Sequence, residues 1–168
     1  MEYKVDKPYP EIKVLKKNLF YAQLLLDDYV SEASEETSIQ QYIYQSFLYF
    51  DTLPELSQTL ARIAMVEMRH LELLGKTIKL LGVKPEFKYV DKSKKRLSWW
   101  SSSFVDYKTN LKDMLISDIE LEIKAIKSYQ NHIKIIDDKY IKSLLKRIIE
   151  DEILHIKCFK EMLSTVEE

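Results

Sequence analysis

Two of the three histidines in this chain follow a glutamate by three positions, as Glu67–His70 and Glu152–His155. Residues three positions apart on an α-helix lie on the same face. A carboxylate and a neutral imidazole on one face are ligands that bind the same transition-metal cation. Each motif is too short to be specific alone, but two copies in one chain predict a shared metal site.

Two further glutamates are placed symmetrically about the turns expected in the chain. Glu35 precedes the first turn by about as many residues as Glu67 follows it. Glu122 stands in the same relation to Glu152 about a second turn. Two divalent cations would neutralise four such carboxylates, whose burial without metal costs several kcal/mol each. The predicted ligands of a dinuclear site are therefore Glu35, Glu67, His70, Glu122, Glu152 and His155.

Two tyrosines repeat this symmetry. Tyr42 follows Glu35 by seven residues, and Tyr129 follows Glu122 by seven. Seven residues are about two helical turns and return to nearly the same face. We therefore predict that both tyrosines contact the ligands and take part in catalysis, with ordinary packing of amphipathic helices as the alternative.

Other polar residues near the motifs have less defined roles. Asp118 lies one turn before Glu122, and Asp151 directly precedes a predicted ligand, so either is a candidate acceptor for the outer N–H of a ligating histidine. His132 lies near a helix end, where we expect a capping or surface role rather than metal binding. Cys158 is expected to be buried filler rather than a reactive thiol.

Hydrophobic periodicity places these residues on four long helices. Thr52, Pro54 and Glu55 resemble a capping box with proline in the first turn. The pair Asp137–Asp138 suits another N-cap. The predicted helices cover approximately residues 18–50, 54–81 and 106–136, with a fourth from the Asp137–Asp138 cap to residue 164.

The connection between the second and third helices, about residues 82–105, is long and lacks a clear period. It contains Pro85, the basic residues Lys92, Lys94, Lys95 and Arg96, and the pair Trp99–Trp100, expected to be a hydrophobic anchor on a solvated loop. A segment of this length can run along a helix of about 40 Å. We therefore predict an all-α fold, a ferritin-like antiparallel four-helix bundle with one long crossover between helices 2 and 3. Residues 1–168 would form a single domain with an N-terminal extension over residues 1–17.

Composition excludes several classes of function. The formal net charge is −1, so no nucleic-acid footprint is present. A single cysteine fits a reducing compartment and, without a secretion signal or an apolar run of spanning length, predicts a cytoplasmic protein without membrane contact.

Three segments resemble the ferritin-like diiron and dimanganese proteins, including bacterioferritin, rubrerythrin and manganese catalase. Residues 35–42, Glu-Glu-Thr-Ser-Ile-Gln-Gln-Tyr, are similar to the bacterioferritin first-helix motif Glu-Leu-Thr-Ala-Ile-Asn-Gln-Tyr, which implies Glu35 as the ligand rather than Glu36 or Glu32. Residues 118–122 resemble the third-helix pattern and select Glu122 over Glu120. Residues 151–155 resemble the fourth-helix pattern.

The resemblance implies two Fe or two Mn ions bridged by Glu67 and Glu152, with one histidine on each ion. It further implies an oxidoreductase that acts on dioxygen or hydrogen peroxide, either as a ferroxidase using Fe2+ or in peroxide removal with an external electron donor. One alternative is hydrogen peroxide dismutation of the manganese catalase type. Another is a non-catalytic metal-carrying or interaction bundle.

Departures from the family limit these expectations. The four-cysteine segment of rubrerythrin is missing from the sequence, and Ile119 replaces an extra third-helix glutamate. Met68 occupies the position of the bacterioferritin haem ligand, but we favour helix packing over haem. No short fifth helix is evident, so a monomer or homodimer is expected at least as much as a storage shell.

Overall fold

The computed structural model of the chain describes residues 2–91, 93 and 95–166. Its α-helices are α1 (Leu19–Val30), α2 (Glu35–Leu48), α3 (Pro54–Leu80), α4 (Leu111–Ile135) and α5 (Lys139–Val166). Between α3 and α4 lie the strands β1 (Lys88–Asp91) and β2 (Arg96–Trp99) and a 3-10 turn over Ser102–Phe104.

The helices form the predicted bundle. The most extensive helix contacts join α2 to α3 and α4 to α5, so each pair is an antiparallel hairpin closed by a short turn. The segment between α3 and α4 connects the two hairpins. The expected all-α bundle with one long crossover is therefore confirmed. Across the described residues, no helix is both long and apolar enough to cross a bilayer.

The prediction of one continuous helix over residues 18–50 is wrong, because the chain leaves the helix at Ser31 and re-enters it after Ser34. Ser31 has extended backbone angles, and its carbonyl accepts hydrogen bonds from Ser34 Oγ at 2.7 Å and Thr37 Oγ1 at 2.9 Å. Side-chain hydroxyls thus replace helical backbone hydrogen bonds. As a result Glu35 is the first residue of α2.

The helix ends agree only in part with the predicted caps. Asp138 caps α5 as expected, because its Oδ1 accepts from the backbone N–H of Tyr140 at 3.0 Å. The capping box at Thr52 is wrong: Leu53 occupies the N-cap position without a side-chain cap hydrogen bond, and Pro54 starts α3. The third bundle helix starts at residue 111 rather than 106, because Asn110 provides its cap.

The crossover is structured, contrary to the expectation of an irregular connection. Strands β1 and β2 pair antiparallel, with Lys88 opposite Trp99. Trp100 is half-buried and donates from Nε1 to Thr37 Oγ1 at 3.0 Å, whereas Trp99 is 65% exposed. Only Trp100 is therefore a hydrophobic anchor. In the basic run, Lys92 and Lys94 lie outside the described residues.

Two hydrophobic clusters occupy opposite ends of the bundle. One includes Leu73 and Ile78 of α3 with Leu144 and Ile148 of α5. The other contains residues of α2, α3, α4 and α5: Tyr42, Leu60, Ile63, Ala64, Met114, Leu115, Leu121, Cys158 and Phe159. The segments 67–70 and 152–155 fall between the two clusters along their helices. The predicted ligands thus occupy a polar layer between two apolar ones.

Candidate metal centre

The helices α2, α3, α4 and α5 each contribute side chains to this polar layer. The side chains are between 0 and 4% exposed, although four of them are carboxylic acids. Glu35 starts α2, Glu122 lies in the middle of α4, and the two Glu-x-x-His pairs lie in the middle of α3 and α5. The structure therefore brings together Glu35, Glu67, His70, Glu122, Glu152 and His155.

The six residues form two overlapping groups, each able to hold one cation. Glu35 and His70 belong to one group, Glu122 and His155 to the other, and Glu67 and Glu152 belong to both. Within each group the possible ligand atoms all lie within 4.8 Å of one another. Two carboxylates common to both groups are placed to bridge two cations.

The Nδ1 atoms of both histidines face the carboxylates. His70 Nδ1 lies 2.9 Å from Glu67 Oε2 and 3.5 Å from Glu35 Oε2. His155 Nδ1 lies 3.0 Å from Glu152 Oε2 and 3.7 Å from Glu122 Oε1. The ring centroids of the two histidines are 6.2 Å apart. The two imidazoles thus approach the same carboxylate cluster from neighbouring positions.

The outer nitrogens of the histidines decide which ring nitrogen carries the proton. His70 Nε2 lies 3.1 Å from Asp151 Oδ2, and His155 Nε2 lies 2.8 Å from the backbone carbonyl of Tyr3. An ionised carboxylate and a carbonyl only accept hydrogen bonds, so both Nε2 atoms are donors. In the neutral imidazoles Nδ1 is then a free lone pair directed at the cluster, as a metal ligand requires.

Both predicted tyrosines contact the glutamates that belong to only one of the two groups, Glu122 and Glu35. Tyr42 donates its hydroxyl hydrogen bond to Glu122 Oε1 at 2.5 Å, and Tyr129 donates to Glu35 Oε1. Both rings are fully buried. Burial and the neighbouring carboxylates raise the pKa of both phenols well above the usual value, so they remain neutral donors. Their participation in catalysis stays a prediction.

The carboxylates of the cluster differ in their affinity for protons. Burial, reinforced by repulsion from Glu152, raises the pKa of Glu35 well above its usual value, and burial with repulsion from Glu67 does the same for Glu122. Burial also opposes the charge of Glu67, but His155 and His70 outweigh it and lower the pKa of Glu67. Burial would lower the pKa of each histidine, yet the surrounding carboxylates raise both. Without a cation, this cluster therefore holds protons.

The donor set fits two divalent transition-metal ions. Glu67 Oε1 lies 2.8 Å from His155 Nδ1, and Glu152 Oε1 lies 3.2 Å from His70 Nδ1. Neither oxygen accepts a well-formed hydrogen bond from any described residue. Buried carboxylate oxygens without such partners are costly, and a bridging cation would satisfy both. Oxygen and imidazole ligands together suit manganese, iron and related metals.

Two other expectations about polar residues need correction. Asp118 does not contact a histidine: its Oδ1 accepts from Gln41 Nε2 at 2.7 Å and Gln45 Nε2 at 2.8 Å. His132 is not on the surface, because it is 5% exposed and its Nδ1 lies 2.6 Å from Asp28 Oδ2. A buried acid on the neighbouring helix explains its position. Met68 is 43% exposed and lies on the outer surface of the bundle, and Cys158 is buried as expected.

Sequence reasoning missed residues that surround the histidines. Tyr9 donates from its hydroxyl to Asp151 Oδ2 at 2.7 Å, and Arg147 Nη1 lies 2.7 Å from Asp151 Oδ1. Arg147 precedes Asp151 by four residues, a helical spacing that could have suggested an ion pair. No sequence pattern marks Tyr3, because its contribution is a backbone carbonyl.

Comparison with known proteins relates this chain to a family. A family model described as the ferritin-like domain matches residues 32–168. A probable manganese catalase from Clostridium acetobutylicum is 24% identical over 172 aligned positions, which cover 93% of this chain and 76% of that protein.

Solved structures show the same architecture. A manganese catalase from Anabaena superposes with a TM-score of 0.85 at 24% identity, covering 100% of this chain and 82% of that one. The diiron bacterioferritin of Desulfovibrio desulfuricans superposes with a TM-score of 0.73 at 25% identity, covering 88% and 80%. The bundle, its crossover and its two hairpins are therefore those of ferritin-like proteins.

Proposed function

We propose that this chain, which belongs to the ferritin-like domain family, is a dinuclear manganese or iron protein that removes hydrogen peroxide. The observation that carries the proposal is the pair of overlapping buried groups that share Glu67 and Glu152. Glu35 and His70 would complete the coordination of one ion, and Glu122 and His155 that of the other. The relatives described as manganese catalases favour dismutation of peroxide to dioxygen and water.

When bound, two adjacent ions would supply the two-electron redox couple that dismutation of peroxide requires. The chain supplies the surroundings of that couple. Its apolar clusters on either side of the polar layer limit access of water. Tyr42 and Tyr129 hold the terminal carboxylates in place by hydrogen bonds. Because the pKa values of Glu35 and Glu122 are raised in the metal-free chain, binding of the ions would displace protons from these two carboxyl groups.

Metal content and peroxide turnover test the proposal. We expect about two equivalents of manganese or iron in protein produced with these metals, and dioxygen release from peroxide without an added reductant. Glu67→Ala and Glu152→Ala should each lose most of the metal and the activity, because each removes a ligand common to both groups. Glu72→Gln is the matched control, since Glu72 lies on α3 with its side chain 44% exposed. Metal-free wild-type protein would disprove the proposal.

Ferroxidase activity is the second candidate function. It is supported by the similarity to a bacterioferritin with a diiron site and by the four glutamates that lie together in the candidate metal centre. Oxidation of Fe2+ by dioxygen without catalase activity would favour this reaction. Dioxygen release from peroxide by the manganese form would favour dismutation, and two bound metals without turnover of either kind would favour a metal-carrying bundle.

A further inference from the structure

The N-terminal segment, residues 3–9, lies against the outer side of both histidines. The backbone carbonyl of Tyr3 accepts a hydrogen bond from His155 Nε2 at 2.8 Å. Two residues later, the backbone N–H of Val5 donates to Asp151 Oδ1 at 2.7 Å. The hydroxyl of Tyr9 then donates to Asp151 Oδ2 at 2.7 Å, the same oxygen that faces His70. One short segment therefore reaches both imidazoles by separate routes.

A buried arginine holds this segment in place. Arg147 of α5 is 2% exposed and donates from Nη2 to the carbonyls of Val5 and Lys7, each at 2.9 Å. Its Nε donates to the backbone carbonyl of Lys7 at 3.1 Å, and its guanidinium lies 4.6 Å from the centre of the Tyr9 ring. A single side chain on α5 thus fixes the backbone of the segment and the orientation of Tyr9.

The contacts are directed at the histidine rings and not only at the helix surface. The Tyr9 ring meets the His70 ring edge-on, with centroids 6.0 Å apart and an interplanar angle of 81°. This contact and the Asp151 hydrogen bond restrict rotation of the His70 ring. The Tyr3 carbonyl does the same for His155. An imidazole that cannot rotate keeps its Nδ1 lone pair on the cluster and loses less entropy when it binds a metal.

We propose that residues 3–9 form a positioning strap for the dinuclear centre, in which Tyr9 and Arg147 set the orientation of His70, and the Tyr3 carbonyl sets that of His155. This inference rests on the proposed function, because it assumes that both histidines bind metal. It adds that the affinity of each ion depends on a different part of the strap. Tyr9 acts on the His70 ion through Asp151, the acceptor described for its hydroxyl, whereas His155 is held by the Tyr3 carbonyl.

Tyr9→Phe tests this division of roles in the full-length chain. It removes the hydroxyl that holds Asp151 but keeps the ring beside His70. We expect Co2+ titration of the metal-free protein, followed by visible absorption, to show one of the two ions bound about 10- to 100-fold more weakly, as for other residues that support ligating histidines. The second ion should bind as in the wild type. The bands of the weakened ion should also shift, because its coordination geometry is less constrained.

Tyr49→Phe is the matched control. Tyr49 is also half-buried and donates one hydroxyl hydrogen bond, to the carbonyl of Thr109 at 2.8 Å, far along the chain from the ligands. Its loss should leave both Co2+ affinities unchanged. Arg147→Met should weaken both ions, because it releases the whole strap, and Arg147→Lys should restore part of the affinity. Urea unfolding of the metal-free proteins checks that each variant folds.

The outcomes separate this inference from the proposed function. Wild-type protein that binds no Co2+ would contradict the proposed metal centre itself. Wild-type protein with two ions and an unchanged Tyr9→Phe variant would overturn the strap. Equal weakening of both ions in Tyr9→Phe, in proportion to a loss of metal-free stability, would also overturn it, because the segment would then only stabilise the fold.

Discussion

At the scale of single residues, the buried acids of this bundle fall into two kinds. The carboxylates of the candidate metal centre lie next to histidines, and protonated imidazoles or bound metal ions would balance their negative charge. Asp118 lies one turn from Glu122 on α4, and its described partners are the neutral amides of Gln41 and Gln45. Burial raises the pKa of Asp118 to about 7, although both amides lower it. Its Oδ2 has no hydrogen-bond partner among the described residues.

The stability of Asp118→Asn relative to the wild type should therefore increase as the pH rises. Between the ordinary aspartate pKa and about 7, the folded wild type binds a proton that the unfolded chain has released, so its stability falls with pH. Residue 118 of the variant does not titrate. Relative to the wild type, the free energy of unfolding of the variant should therefore rise by up to about 1.4 kcal/mol per pH unit from roughly pH 4 to pH 7, and should not rise further above pH 7.

Urea unfolding of both metal-free proteins at several pH values measures this difference. Glu120→Gln, at an exposed position on the same helix, should show no such trend. A constant difference in the free energy of unfolding between Asp118→Asn and the wild type would show that Asp118 is ionised throughout the range.

At the scale of secondary structure elements, the break between α1 and α2 decides where Glu35 lies. In a continuous helix Glu35 would sit in the interior of the segment, with its position set by helical periodicity alone. In the structure it is the first residue of α2, next to the Ser34 cap, and the crossover contacts the same turn through Trp100 and Thr37. The break therefore couples the crossover to Glu35, one of the six predicted ligands.

Ser34→Ala should remove the cap and disturb this placement. Ser34 Oγ accepts from the Thr37 backbone N–H at 3.4 Å and donates to the Ser31 carbonyl at 2.7 Å. We expect a loss of about 1 kcal/mol in the free energy of unfolding, together with weaker binding of the ion that Glu35 contacts. Asn110→Ala removes the cap of α4, far from the ligands, and should lower stability by a similar amount without changing metal affinity. Equal metal affinities in the two variants would contradict a role for the break.

At the scale of the whole molecule, the candidate metal centre is a charged layer between two apolar clusters. Four carboxylates and two histidines are buried at the middle of the bundle, where every charge must be balanced by protons or cations. The raised pKa values of both histidines and of Glu35 and Glu122 mean that protons fill this role in the metal-free chain. Metal ions bound at this site would replace those protons and should also stabilise the folded state by mass action.

Metal binding should therefore release protons, and the apparent metal affinity should rise with pH. The sign follows because protons and cations compete for the same carboxylate and imidazole atoms. Calorimetric titration with Mn2+ in buffers of different ionisation enthalpy measures the proton release directly. A binding heat that does not depend on the buffer would show that the metal-free cluster is already deprotonated.

The sequence by itself determined the helical class, the two hairpins, the long crossover and the six residues that meet at mid-bundle. These features depend on spacing along single helices and on symmetric distances from the turns, which fixed helical geometry translates directly into faces and heights. Asp138 as a cap followed from the same local rules.

Tertiary structure alone decided the break at Ser31–Ser34, the hairpin in the crossover, the partners of Asp118 and His132, and the strap over the histidines. Each depends on contacts between residues far apart in sequence, such as His155 with the Tyr3 carbonyl or Asp28 with His132. No periodicity within one segment encodes such a contact, because backbone atoms are the same in every residue and a buried polar side chain takes whichever partner the packed fold brings near.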